Sequence, residues 1–252
     1  NVDNALSGAA PIAPEILRFF MSIGVPIYEG YGMTENSAIA TGNRPGKVKL
    51  GTVGVAQPGV ELKLAEDGEI LIKHPGVFKG YFKNDEATSE VIDEGGWLYT
   101  GDVGEYDGEF LKIVDRKKDI IITSGGKNVS PSEIENNIKT SPYIREAIVI
   151  GDDRKFLSAL IGIEFDTVSN WALRKNIPHT TYRNLSENEN VQELIWKEIQ
   201  KANEKTSSLA IRKFRMLTKE LDHEDGDMTA TQKVKRNVMM EKFSDLIEDM
   251  YS

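Results

Sequence analysis

The stretch Gly95–Asp119, GGWLYTGDVGEYDGEFLKIVDRKKD, decides how the rest of the chain is read. It holds a carboxylate, Asp102, in a glycine-flanked turn, and then a hairpin around Asp107-Gly108. It closes on a strand that delivers Arg116, Lys117 and Lys118. Asp-Gly between Glu105-Tyr106 and the apolar run Phe110, Leu111, Ile113, Val114 is a strong hairpin signal. A Gly-Asp pair on a tight turn can bring a carboxylate to a ligand at close backbone range. Its two acceptor oxygens match the two donors of a vicinal diol. A lone Gly-Asp is more often a turn aspartate that bonds its own backbone. The functional reading of Asp102 therefore depends on the residues around it.

Working outward, the 252 residues suffice for one large or two small domains with real cores. The composition is globular, and no run approaches the length of a membrane-spanning helix. No secretory signal opens the chain. The absence of cysteine removes disulfides and thiolate metal sites and is consistent with a cytoplasmic setting. His74, His179 and His223 make no metal-ligand spacing. The net charge of −9 argues against non-specific nucleic-acid binding. Residues 1–115 hold 9 Lys+Arg and 18 Asp+Glu, whereas residues 116–252 hold 22 of each, so the whole imbalance precedes Arg116 and supports a domain boundary there.

Near the start, Ser7-Gly8-Ala9-Ala10-Pro11 is a run of small residues that would let a backbone approach a flat ligand, or is simply a loop. A helix is expected from about Pro14 to a stop at Gly24. A strand over Val25–Tyr28 then enters Glu29-Gly30-Tyr31-Gly32-Met33-Thr34-Glu35. Here Tyr31 offers a face for stacking a base and Thr34 a donor for a phosphate. Glu35 offers a hard oxygen for Mg²⁺. The alternative is a turn with a partly buried tyrosine and a surface glutamate. Residues 51–82 read as a small antiparallel barrel, with strands over Val60–Leu64 and Glu69–Lys73, to which no chemistry is assigned beyond scaffolding.

Beyond Arg116, whose guanidinium can bind ribose hydroxyls or a carboxylate, Lys117-Lys118 is either a solvated charge pair or something more. Thr123-Ser124-Gly125-Gly126-Lys127 lacks P-loop spacing. Ser130-Pro131-Ser132-Glu133 is a helix start with Ser130 as N-cap, Pro131 at N1 and Glu133 at N3. Strands are expected over Ala147–Ile150, Leu157–Phe165 and Ile211–Leu217, and helices over Thr167–Lys175, Val191–Lys205 and Val234–Met250. Trp171, Trp196 and Phe214 read as core. Lys233, in the basic segment Thr229–Arg236, can bring a point charge onto a transferring carboxylate, or is merely solvated.

Trp97-Leu98-Tyr99-Thr100-Gly101-Asp102 and Leu111–Asp119, together with Tyr31-Gly32-Met33-Thr34-Glu35, resemble the signatures of fatty acyl-CoA synthetases. These belong to the adenylate-forming superfamily, with acetyl-CoA synthetase, firefly luciferase and peptide-synthetase adenylation domains. The resemblance covers essentially the whole chain but only the later part of such an enzyme. It implies a mixed α/β fold, in which residues 1–117 are the end of the large adenylate-binding domain with its β-barrel. Residues 118–252 would be a mobile α+β domain hinged near Lys118. It places Gly8, Ala9 and Ala10 beside the adenine and Tyr31, Gly32, Thr34, Asp102 and Arg116 around the nucleotide. Glu35 falls on Mg²⁺, Gly125 and Gly126 along the pantetheine of CoA, and Lys233 at the catalytic lysine, with Thr34 and Glu35 also catalytic. The glycine frequent before that lysine is Gln232 here.

What the resemblance implies is a long-chain fatty acid–CoA ligase that uses ATP, CoA and a fatty acid. Transfer to a carrier protein and a non-catalytic adenylate-binding fragment are the alternatives. It places the loop that grips the β- and γ-phosphates upstream of Asn1, so the fragment alone is expected to be nearly inactive. A cytoplasmic protein is expected, with peripheral membrane association left open.

Overall fold

The computed structural model describes residues 5–205, 209–230 and 232–252. The chain divides into two compact units, Asn1–Asp119 and Ile120–Ser252. Asn1 to Asn4 and Thr231 lie outside the described residues. No helix among the described residues is long and apolar enough to cross a membrane.

The first unit opens with β1 (Ala5–Ser7), α1 (Pro14–Ser22) and β2 (Ile27–Tyr31). Pro14 starts α1 where its missing N–H costs nothing, and Gly24 at φ +80° follows the C-cap, as its sequence position implied. β1 runs parallel to β2, with Ser7 opposite Glu29, and β3 (Thr41–Gly42) and β4 (Val55–Ala56) extend the sheet. A second, antiparallel sheet has the order β5-β6-β7-β8: β5 (Glu61–Leu64), β6 (Glu69–Lys73), β7 (Leu98–Asp107) and β8 (Phe110–Arg116), with α2 (Asp85–Val91) before β7. This open half-barrel is the scaffold expected over residues 51–82, and it takes in Gly95–Asp119 as its last two strands. Alternation puts Ile70 and Ile72 of β6 and Leu111 of β8 in one core with Ala40, against which Tyr31, Val60, Leu62 and Ile113 pack. The β7–β8 hairpin pairs Asp107 with Phe110, and Gly108 takes φ +68° at the first position of the loop.

The second unit begins with the short hairpin of β9 (Ile121–Ile122) and β10 (Asn128–Val129), then α3 (Pro131–Ile138). The Ser130 side chain accepts the Glu133 N–H at 3.3 Å, which makes the cap read from the sequence. β11 (Ile144–Ile150) and β12 (Leu157–Ile163) pair antiparallel. After α4 (Phe165–Arg174), α5 (Tyr182–Ser186) and α6 (Glu189–Lys205), β13 (Ile211–Met216) joins β12 in parallel. α7 (Arg236–Lys242) and α8 (Ser244–Tyr251) end the chain. Ala147, Val149, Ala159 and Ile161 pack with α3 and α6 on one face, and Ile148, Ile150 and Leu160 with α7 and α8 on the other. Coverage on both faces is why β12 and the Ala147–Ile150 end of β11 are almost wholly apolar. The single helix expected over Val234–Met250 is two, broken at Phe243, which ends α7 and starts α8. Trp171, Trp196 and Phe214 are partly buried against the core, the last two stacked with centroids 5.6 Å apart.

Candidate functional site

Asp102 does not stand on a turn. It lies inside β7, opposite Arg116 of β8. The strand accommodates Gly101 at φ +70° because β7 carries surplus chain between Tyr99 and Val103 relative to its partners Leu71 and Glu69 on β6. Asp102 is 6% exposed. Its Oδ2 accepts the Tyr31 hydroxyl at 2.7 Å, and its Oδ1 lies 3.1 Å from Nε of Arg116. Two stretches far apart in sequence therefore converge: the end of β2, and the β7–β8 hairpin with Asp102 at its bulge and Arg116 at its end. Burial, reinforced by the Asp102 charge, holds the Tyr31 hydroxyl well above the ordinary phenol range, so it stays a donor. The Tyr31 ring is half-buried, and Asp102 and the half-exposed Arg116 set an acceptor beside a cation.

A second carboxylate braces this arrangement. Glu69, at the start of β6 and 6% exposed, accepts the Gly101 N–H at 2.9 Å on Oε1 and meets Lys117 Nζ at 2.8 Å on Oε2. Lys117 Nζ also lies 2.6 Å from Asp67, and its N–H donates to Gly101 O at 2.9 Å. Lys117 is thus exposed yet paired with two carboxylates. Hydrogen bonds from Lys117 to the two carboxylates push its pKa up. The strand assigned only to scaffolding supplies the clasp on the residue before Asp102. The one sequence signal was a charged residue heading the apolar run Ile70–Ile72.

The segment after β2 closes on itself. Met33 O accepts from Asn36 N–H at 3.1 Å and Ala38 N–H at 2.9 Å, and Asn36 Oδ1 accepts the Met33 N–H at 3.0 Å. Ser37 and Ala38 both take left-handed backbone, φ 60° and 79°, at about 1–2 kcal/mol each. Gly32 is required by this turn, since a Cβ there would lie 2.1 Å from Ala38 O. Thr34 is exposed at the head of a short 3₁₀ turn. The Glu35 carboxylate accepts the Tyr81 hydroxyl at 3.0 Å, and its carbonyl the Phe78 N–H at 2.7 Å. Among the described residues no group of three or more metal-ligating side chains gathers. A single carboxylate still suits Mg²⁺, which keeps several waters and arrives with substrate phosphates. Gly8, Ala9 and Ala10 are exposed after β1, beside β2. Ala9 is held at φ 65°, and a Cβ on Gly8 would meet only Gly30 O, at 3.4 Å.

In the second unit, Gly125 and Gly126 are exposed at the tip of the β9–β10 hairpin, with Gly126 at φ +74° donating to Thr123 O at 2.8 Å. Exposed Lys233 sits in a separate loop necked by the antiparallel bridge Met228–Val234. Its N–H donates to Thr229 Oγ1 at 3.0 Å and its carbonyl accepts the Thr229 N–H at 2.8 Å. Gln232 takes φ 58°, a backbone suited to the glycine it replaces.

Comparison with known proteins bears on this geometry. The AMP-binding enzyme C-terminal domain matches residues 118–252, and the AMP-binding enzyme family matches residues 2–82. A long-chain-fatty-acid–CoA ligase of Mycobacterium bovis is 38% identical over 100% of this chain, which spans 42% of that relative's length. The adenylation domain of a carboxylic acid reductase from Segniliparus rugosus, solved with AMP and a co-purified carboxylic acid, aligns with a TM-score of 0.79 at 28% identity. The alignment covers 98% of this chain and 39% of that one. O-succinylbenzoate coenzyme A synthetase from Bacillus subtilis, solved with ATP and magnesium, aligns with a TM-score of 0.69 at 27% identity, over 93% of this chain and 45% of that one.

Proposed function

The chain belongs to the AMP-binding enzyme family, and from that premise we propose that it is the later part of a long-chain fatty acid–CoA ligase. The observation that carries the reading is Asp102, buried between the Tyr31 hydroxyl and Arg116. The carboxylate accepts the hydroxyls of the nucleotide's ribose, Arg116 adds a directed cation, and the ring of Tyr31 lies against the base. Gly8, Ala9 and Ala10 line the adenine. Thr34 donates to the α-phosphate, and Glu35 holds the magnesium that neutralises phosphate charge. Lys233 brings its ammonium to the carboxylate and α-phosphate oxygens, where negative charge accumulates as the acid attacks phosphorus and pyrophosphate departs. The thiol of CoA, whose pantetheine passes Gly125-Gly126, then attacks the acyl carbonyl carbon, forming the thioester and releasing AMP. Pyrophosphate exit and thiol entry compete for one face of the adenylate. A rotation of residues 118–252 about Lys118 separates the two steps.

Similarity to ligases of this kind supports CoA as the acceptor. The carboxylic acid reductase likeness favours a second reading, transfer to a carrier-protein thiol. A panel of thiol acceptors separates the two. Because the chain spans 42% of its relative, the complete reaction is assigned to the longer enzyme. Calorimetric titration of this chain with a non-hydrolysable long-chain acyl-adenylate tests the nucleotide site. Binding that Asp102→Ala weakens about tenfold to a hundredfold is expected, the worth of hydrogen bonds to a charged acceptor. Binding indifferent to that substitution would remove Asp102 from the site.

A further inference from the structure

The loop that carries Lys233 is fixed at both ends by charged side chains that belong to no part of the proposed chemistry. Before it stands Asp227, fully buried, whose N–H donates to Asp222 O at 3.1 Å and whose carbonyl accepts the Lys235 N–H at 2.9 Å. Asp227 Oδ1 is paired with Lys242 of α7, while Oδ2 is buried with no hydrogen-bond partner. After the loop stands Arg236, which donates to Val149 O at 2.6 Å and pairs with Glu135 of α3. The same Glu135 oxygen accepts the Val149 N–H at 2.7 Å. Between these anchors the chain turns through Gln232 and exposes Lys233.

A buried carboxylate with one oxygen unmatched is a poor device for stability, because desolvation offsets most of what its ion pair contributes. Such a pair does restrain geometry, since moving the neck away from Lys242 of α7 would leave a fully buried carboxylate unpaired. We propose that Asp227 and Arg236 are positioning residues that hold Lys233 where its ammonium meets the reacting oxygens. Asp227 acts through the Lys235 amide and α7, and Arg236 through the β11 backbone and α3. The inference rests on the reading of Lys233 as the residue of the adenylation step. An ammonium displaced by an ångström costs about ten- to a hundredfold in rate, and that loss falls on adenylation alone, because CoA attack on a finished adenylate does not use Lys233.

The test measures the two half-reactions separately in the complete enzyme: ATP–pyrophosphate exchange, and thioester formation from supplied acyl-adenylate and CoA. Asp227→Asn is expected to lower kcat of the first by about tenfold or more, with KM for ATP and the second half-reaction unchanged. In this chain by itself, the same variant is expected to speed tryptic cleavage after Lys233. Should Asp227→Asn not fold, Arg236→Lys, which keeps the charge and loses the forked contact, is expected to give the same split. Equal losses in both half-reactions, or no loss in either, would overturn the inference while Lys233→Ala still abolishes exchange. Exchange that survives Lys233→Ala would overturn the reading of Lys233, and the inference with it.

Discussion

Asp102 and Lys233 are held in opposite ways. Asp102 is buried in the middle of a sheet, opposite Arg116 across one strand pair, with a hydroxyl bonded from β2 and a second carboxylate, Glu69, bracing its neighbour. Lys233 is exposed on a loop where its N–H and carbonyl both bond to Thr229. A group that recognises an unchanging part of its ligand gains from being built into regular structure, where no reorganisation is needed on binding. A group that must reach the reacting atoms in one step and withdraw in the next is better placed on a loop steered from its ends. On the proposed reading, recognition and chemistry are divided between a rigid element and a movable one, a division that substitution on either side can break.

The largest effect is expected at Lys233. In the complete enzyme Lys233→Ala should lower acyl-adenylate formation by about 10²–10³-fold, the scale of losing one charge aimed at a developing charge. Stability should move by no more than about 0.5 kcal/mol, as for other exposed sites. Pyrophosphate exchange and thermal unfolding measured on the same protein check both. A large loss of stability would mean that Lys233 is structural and that the two regions are not opposites. Glu69→Ala should do the reverse. It leaves the Gly101 N–H without its buried acceptor and is expected to cost about 1–3 kcal/mol. Amide exchange should report that cost in the first unit and leave the second unchanged.

These two residues also mark what the sequence could convey. Local rules were legible: Asp107-Gly108 makes its hairpin, Ser130 caps α3, and Gly24 follows the end of α1. The placement of Asp102 was not, because its position depends on a bulge defined by the register of β6, which is a long-range property. For the same reason Glu69 passed as scaffold, since nothing near it in sequence says that it faces Gly101 and Lys117. The break at Phe243 was hidden differently. Val238, Phe243, Leu246 and Tyr251 all pack on one core, so the apolar period runs unbroken through the joint between α7 and α8. The left-handed Ser37 and Ala38 carry no local signal either, because neither is the glycine that such a backbone usually demands.

A smaller effect sharpens the account of the rigid side. Glu29 lies in β2, buried, with Oε1 accepting the Ile12 N–H at 3.4 Å. Burial raises its pKa above the ordinary 4.5, and the Ile12 bond opposes this only in part. The folded state therefore binds a proton that the unfolded state has already released. Stability from this group is full below the unfolded value and is lost as pH rises through the folded one. Glu29→Gln should flatten that decline, making the first unit more stable than the parent at neutral pH and equal to it in acid. Denaturant titrations at the two pH values measure this. A variant less stable at neutral pH would show that the ionised carboxylate has a charged partner it needs.

The smallest expected effect lies at Gln232, on the movable side. Holding a side chain at φ 58° costs the folded state about 1 kcal/mol or somewhat more. Gln232→Gly relieves that cost and enlarges the freedom of the unfolded chain by about 0.5–1 kcal/mol. The two nearly cancel, so global stability should change by less than about 0.5 kcal/mol. The loop itself gains the most, because glycine opens conformations that glutamine denied it. Cleavage after Lys233 should then quicken although unfolding does not. If cleavage stays unchanged, the end anchors Asp227 and Arg236 set the loop by themselves. If unfolding shifts strongly, the Lys233 loop is part of the folded core, and the contrast with Asp102 is lost.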